Sequence, residues 1–208
     1  MKQSVVDIFP TFSTHLEGRL NFMYLDIKQL VTTGIGNLID PFSLARDLPW
    51  RPKNESDRPA TPEEIETEWN FVKSDPDGRS RQGGGSFASV TSLELSDDAV
   101  DELVRQKVTQ MESFLKRRPE FAEFDDWPAD AQLGLLSMAW AMGPAFRFPN
   151  FQAACQARDF RTAARESHMN DTNNPGLRPR NAANLQLFQS AAEAEEGNLD
   201  PDEVHLQP

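Results

Sequence analysis

The chain has 208 residues, 38% of them hydrophobic and 9% aromatic, and a formal charge of −12 at pH 7. Four Trp and fourteen Phe argue against a disordered chain, and the acidic balance excludes a nucleic-acid binder, which needs Lys and Arg clustered against phosphates. Cys155 is the single cysteine, so no internal disulfide forms; within Ala153-Ala154-Cys155 it reads as a buried, inert thiol. His15, His168 and His205 lack metal-ligand spacing, and no zinc or other cofactor is expected.

In chain order, the N-terminal residues carry no apolar run long enough for a signal peptide or a membrane span. Ser13 or Thr14 is the expected cap of a short helix that delivers Glu17 at its end, with Pro10 breaking or kinking the chain just before. Residues 21–38 alternate and end in glycines, which predicts a hairpin or small sheet. Residues 41–95 are an insertion longer than a connection requires. Within it, Thr61-Pro62-Glu63-Glu64 has the cap, first-turn proline and third-position glutamate of a helix start, and the helix should bury Ile65, Trp69 and Val72. Trp50 and Trp69 are expected to pack the insertion onto the body rather than to stack on sugars. Residues 74–92 read as a mobile loop, with Asp75-Pro-Asp77-Gly78 as a turn rather than a calcium loop. Ser96 should cap a long helix over 97–118 with Val100, Leu103, Val104, Val108, Met111 and Leu115 at helical spacing. Asp159 is the expected cap of a helix over 160–169, and the acidic segment 193–208 is expected to fray. The length suits a single domain over 1–208, with 12–40, 41–95, 96–192 and 193–208 as its parts.

The most informative segment runs from Glu17 to Gly36. It spaces Glu17, Asp26 and Thr32 as E-x8-D-x5-T and continues into T-x-G-x-G. Hydrolysis of a glycosidic bond needs a proton for the leaving oxygen and an activated nucleophile on the opposite face. Beside Leu16, Leu20 and Phe22, Glu17 should be partly desolvated and so a proton donor, whereas Asp26, beside Lys28 and Gln29, should stay ionised. The Thr32 hydroxyl can hold a water against Asp26, and Gly34 and Gly36 let backbone approach a ligand closely. Taken one at a time, each of these residues is more commonly a surface group or a hairpin glycine. It is the combination that points to chemistry.

Those residues resemble the phage-type lysozymes, the muramidases of glycoside hydrolase family 24, in which a first helix ends in the catalytic Glu, followed by Tyr-x-Asp and Thr-x-Gly-x-Gly. Here they read Glu17, Tyr24-Leu25-Asp26 and Thr32-Thr33-Gly34-Ile35-Gly36. Two further blocks resemble the large lobe of these enzymes: Asp130 to Pro144 a buried central helix, and Asn174-Pro175-Gly176 a helix start before a helix ending near Leu187-Phe188. The resemblance covers 12–40 specifically, 125–190 loosely and 41–95 poorly. It implies an α+β, mainly helical, lysozyme-like fold, with a small hairpin-containing lobe and a larger helical lobe joined by the long helix. It also implies Glu17 as general acid, Asp26 acting on a water that Thr32 helps to bind, and inversion, for which the carboxyl groups stand roughly 6.5–9.5 Å apart. Tyr24, Gly34 and Gly36 become expected substrate-binding positions.

The charge of −12 departs from the basic character expected of a phage lysozyme. Either the substrate cleft is locally basic, with Arg19, Lys28, Arg147, Arg178 and Arg180 as candidates, or the acidic surface serves a carrier or an immunity protein. Arg147 and Arg180 are the expected substrate contacts, although for any one arginine a solvated or salt-bridged role is the commoner one. The functional expectation is a muramidase that cuts peptidoglycan glycan strands. It would be delivered to the periplasm and cell wall by a holin or a secretion apparatus, without membrane insertion, as an endolysin or an antibacterial effector. A chitinase-like glycosidase on the same fold and a catalytically inactive peptidoglycan-binding module stand as alternatives.

Overall fold

Val5, Phe9 and Phe12 recur at helical spacing and are all buried, and this stripe carries α1 (Gln3–Glu17) straight through Pro10. The short helix capped by Ser13 or Thr14 is therefore a correction: both lie inside a 15-residue helix, where the Thr14 hydroxyl donates to the Pro10 carbonyl at 2.9 Å. Burial of the apolar stripe outweighs the backbone hydrogen bond that proline forfeits. The computed structural model describes residues 1–55, 57–172 and 174–206, and the architecture is α+β and mainly helical. The chain divides into two compact units, Glu17–Val104 and Met1–Leu16 with Arg105–Pro208.

The Glu17–Val104 unit holds both sheets. Strands β1 (Leu20–Leu25), β2 (Val31–Gly34) and β3 (Asn37–Leu38) form an antiparallel sheet in that order. Tyr24 pairs with Thr32, Thr32 with Leu38, and Leu20 with Gly34, so four steps along β1 oppose two along β2 and β1 bulges between Leu20 and Tyr24. The insertion is folded. Strand β4 (Arg51–Pro52) pairs with β5 (Leu93–Glu94), and α2 (Pro62–Ser74) lies between them in sequence. Helix α2 starts as expected: Thr61 and Glu64 form a reciprocal capping box, and Ile65, Trp69 and Val72 are buried. Trp50 and Trp69 are packing residues, donating their indole N–H groups to Ala45 O at 2.8 Å and Ile39 O at 2.9 Å.

The expected mobile loop over 74–92 is a second correction. It is built from two 3-10 turns, Arg79–Gln82 and Gly84–Phe87. Asp75 accepts from Arg79 N at 2.7 Å and from the Ser80 hydroxyl at 2.7 Å, while the Ser86 hydroxyl donates to Arg79 O and Gly83 O. Asp75-Pro-Asp77-Gly78 is thus a turn whose first carboxylate is spent on its own backbone.

Helix α3 (Asp97–Leu115) begins in this unit and ends in the other. Its start carries the expected cap, the Ser96 hydroxyl accepting from Ala99 N at 3.2 Å. Val100, Val104, Val108, Met111 and Leu115 are buried, but Leu103 is only partly so.

The helical unit is organised around α4 (Ala129–Met142), whose first eleven residues are all buried. Helix α7 (Leu177–Glu195) packs against it, α6 (Phe160–Glu166), capped by Asp159 on Thr162 N at 2.9 Å, packs against α7, and α5 (Pro149–Gln156) packs against α6. Helix α7 does not stop near Phe188, because buried Ala191, Ala192 and Ala194 extend its apolar face. The acidic segment after it is held rather than frayed as far as His205, and residues 207 and 208 lie outside the described residues. Pro201 O accepts from Ala129 N at 2.8 Å, and Lys2 pairs with Asp202 at 2.5 Å. The His205 ring meets the fully buried Asp130 carboxylate at 2.9 Å. Burial pushes the Asp130 carboxyl above its usual range, and His205 opposes that shift.

Gly34 and Gly36 both have positive φ, at 62° and 75°, but only Gly34 is crowded: a Cβ there would stand 2.9 Å from both Asn37 Oδ1 and Val100 Cγ1. Gly36→Ala should cost ~1–2 kcal/mol from backbone strain alone. Gly34→Ala adds an overpacking penalty of ~1–3 kcal/mol. Denaturant unfolding of the two variants should therefore rank Gly34→Ala clearly below Gly36→Ala, and equal midpoints would show that the hairpin yields at no cost.

Candidate active site

The turn between β1 and β2 is held by its own aspartate. Asp26 Oδ1 accepts from Lys28 N at 2.8 Å and Leu30 N at 2.9 Å, while Asp26 N donates to Leu30 O at 3.0 Å. Closing so tight a loop places Gln29 at φ 62°, a conformation unusual for a residue with a side chain. Two other parts of the unit brace it. Lys73 of α2 donates to Gln29 O at 2.8 Å and to Asp40 Oδ2 at 2.6 Å, and Asp40 Oδ2 also accepts from Val31 N at 3.1 Å. Gln29 Nε2 donates to the Ser80 hydroxyl at 3.1 Å. Burial works to raise the Asp40 carboxyl, but Lys73 and the Val31 N–H outweigh it and hold it below its usual range.

The two oxygens of Asp26 are unequally engaged. Oδ1 fixes the turn, and Oδ2 carries no hydrogen bond among the described residues, so it is the oxygen open to a water. Thr32, directly across from Tyr24, is 3% exposed, and its hydroxyl donates to Leu30 O at 3.1 Å. With its hydrogen committed there, Thr32 offers a water only its lone pairs.

Tyr24 is where the site is joined. Burial, then the charge of Asp26, then that of Glu17 push its hydroxyl up to about 12, with a hydrogen bond from the Gly36 backbone opposing. Both carboxylates therefore act on one phenol, and the second glycine of the T-x-G-x-G run contacts it as well. The insertion covers the ring from another side: a Cβ on Gly84 would stand 2.6 Å from Tyr24 Cδ2 and 2.9 Å from Leu20 Cδ1. Within Gly83-Gly84-Gly85, Gly84 is thus a place of close approach, while a Cβ at either neighbour would meet open space. Lys73, Asp40, Ser80 and Gly84 position the site without having stood out in the sequence. The glycine run was the available signal, read as mobility.

Other expectations fare differently. Glu17 is exposed, so its expected desolvation beside Leu16, Leu20 and Phe22 is corrected: it is the final residue of α1, and Gly18 after it is exposed as well. Arg19 pairs with Asp97 at 3.4 Å and with Asp101 on α3. Arg180 is 1% exposed and donates to Ser137 Oγ at 2.9 Å, which makes it an interior residue of the helical unit and corrects its assignment as a substrate contact. Arg178 is exposed and lies 3.4 Å from Asp171, Lys28 is exposed in the Asp26 turn, and Arg147 is exposed on the helical unit. The hairpin unit thus gathers Glu17, Tyr24, Asp26, Thr32, Gly34 and Gly36, while Arg147, Arg178 and Arg180 belong to the helical unit.

No family model matches the chain, and no curated protein matches it.

Tyr24 is the only tyrosine, so phenolate absorbance reads this site alone. The neutral phenol is the form the fold favours; that contribution is complete below the ordinary tyrosine range near 10 and is lost as pH rises through about 12. Asp26→Asn and Glu17→Gln should each lower the midpoint of the absorbance titration. If neither moves it, the two carboxylates do not share this phenol.

Proposed function

We propose that the chain is a peptidoglycan hydrolase, a muramidase that cleaves the bond between N-acetylmuramic acid and N-acetylglucosamine. One observation carries the reading: Glu17 and Asp26, on either side of β1, both act electrostatically on Tyr24. Two carboxyl groups around one small site are the minimum that acid–base cleavage of an acetal requires. Glu17, exposed at the end of α1, can reach a leaving oxygen and give up its proton. Asp26 Oδ2 takes a proton from the attacking water, whose position the Thr32 lone pairs help to set. Water attacking the face opposite Glu17 inverts the anomeric centre. Tyr24 stays a neutral phenol through this cycle and serves as a hydrogen-bonding wall of the site. The resemblance of Glu17, Tyr24-x-Asp26 and Thr32-x-Gly34-x-Gly36 to the phage-type lysozymes supplies the choice of sugar polymer.

The substrate class brings a setting with it. Peptidoglycan lies outside the inner membrane, and no helix among the described residues is long and apolar enough to cross one. A holin or secretion apparatus is one route to that substrate, and a carrier or immunity protein is the partner an acidic surface suits.

Glu17→Gln and Asp26→Asn should each slow the clearing of purified sacculi by about 10²-fold or more, the usual scale of general acid–base catalysis, with circular dichroism unchanged. Retained clearing by both variants would sink the catalytic assignment. The new reducing end of the released fragments distinguishes the enzyme from a chitinase-like one, and binding to sacculi without fragments would mark a module that only recognises them. Gly84→Ala should reduce clearing through Tyr24 while leaving Glu17 and Asp26 in place, since the added Cβ meets the Tyr24 ring. Full activity in that variant would remove the insertion from the site.

A further inference from the structure

The helical unit contains a cavity of about 440 Å³ lined by Phe114 and Arg118 at the end of α3, Glu120, Arg147, and Pro149 and Gln152 of α5. That volume lies within the range of sites for small organic molecules. Most of its polar groups are already engaged. Arg118 donates to Glu120 at 2.7 Å and to Pro144 O at 2.8 Å, and its guanidinium lies over the Phe121 and Phe146 rings. Gln152 accepts from Phe148 N at 2.7 Å and donates to Glu120.

Arg147 is the exception. It is exposed, lines both this cavity and an adjoining one of about 310 Å³, and makes no ion pair or hydrogen bond among the described residues. The acid nearest to it in the second cavity, Glu166, accepts from Asn150 at 3.2 Å. Beside the first cavity Arg117 lies over the Phe114 ring at 5.6 Å, and that ring is 37% exposed. The first cavity is lined by Arg118 and Arg147 with Glu120 as its acid, so once Arg118 is paired with Glu120 the charge of Arg147 is left over, in a chain of charge −12. Elsewhere the arginines commonly sit against acids, as Arg19, Arg58, Arg79, Arg158 and Arg161 do.

We propose that this cavity binds a small organic carboxylate bearing an apolar group. The planar guanidinium of Arg147 matches a carboxylate in two parallel hydrogen bonds, and the half-open Phe114 ring receives the apolar part. Arg118, held by Glu120 and Pro144 O, is a fixed wall of the cavity and leaves Arg147 as the group free to take the carboxylate. This site needs neither Glu17 nor Asp26 and stands apart from the hydrolase reading.

Titration of the whole chain with phenylacetate, followed by calorimetry and by the arginine Nε signals in ¹H–¹⁵N spectra, tests it. Phenylacetate should bind at least tenfold more tightly than uncharged phenylacetamide, and Arg147→Gln should abolish that preference. Phe114→Ser should weaken phenylacetate while keeping the charge preference. Both residues are exposed, so both variants should retain the parent circular dichroism. A parallel titration with N-acetyl-L-alanyl-D-glutamate separates a wall-derived acid from a free aromatic one, and the tighter ligand identifies the source. No binding by either acid, equal binding of acid and amide, or unchanged affinity in Arg147→Gln would overturn the proposal.

Discussion

Lys73 ties together the parts of the hairpin unit on which everything else depends. Its ammonium bridges the Gln29 carbonyl, inside the Asp26 turn, and the Asp40 carboxylate, which in turn takes the Val31 N–H at the start of β2. One cation from α2 thereby fixes both ends of the segment that carries Asp26 and Thr32. The capping box at Thr61 and Glu64 matters for the same reason, since it anchors the far end of the helix that presents Lys73. A flexible insertion could not do this. The residues least covered by the lysozyme resemblance turn out to brace the residues that it covers best.

What was legible in the sequence is what local chemistry decides. The α2 start, the Ser96 and Asp159 caps and the buried stripe of α3 all depend on residues within a turn or two of one another. The misread parts are those that long-range packing decides. Pro10 normally ends a helix, but Phe9 and Phe12 keep α1 intact across it. Gly83-Gly84-Gly85 has the composition of a free loop, yet its middle glycine is fitted to the Tyr24 ring. The acidic tail has the composition of a frayed end, yet Asp130, more than sixty residues away in sequence, takes up His205. The Glu17, Asp26 and Thr32 set was readable as a pattern. The division of labour between the two oxygens of Asp26, and the Thr32 hydrogen spent on Leu30, were not, because both depend on how the turn closes.

The charge distribution follows the same logic. Arginines that sequence reading offered to a basic cleft are spent inside the protein: Arg19 on Asp97 and Asp101, Arg180 on Ser137. The Arg19 pairs contribute little to stability individually, and each positive charge in such a pair is cancelled against a negative one. Such pairing leaves the net charge of −12 unchanged. It makes the unpaired Arg147 stand out.

The bulge in β1 has a consequence for how this hairpin tolerates change in length. Strand faces alternate with period two, and the excess on β1 over β2 between Leu20 and Tyr24 is an even step. Leu20 and Tyr24 consequently keep a common face, and both lie against Gly84. Lengthening or trimming this stretch by two residues preserves parity and leaves the phenol facing its carboxylates. A change of one residue reverses it, turning Leu20 to the opposite side of the sheet while Tyr24, paired with Thr32 beside the Asp26 turn, keeps its face. Among related chains, pairs of inserted residues are therefore compatible with this site and single ones are not.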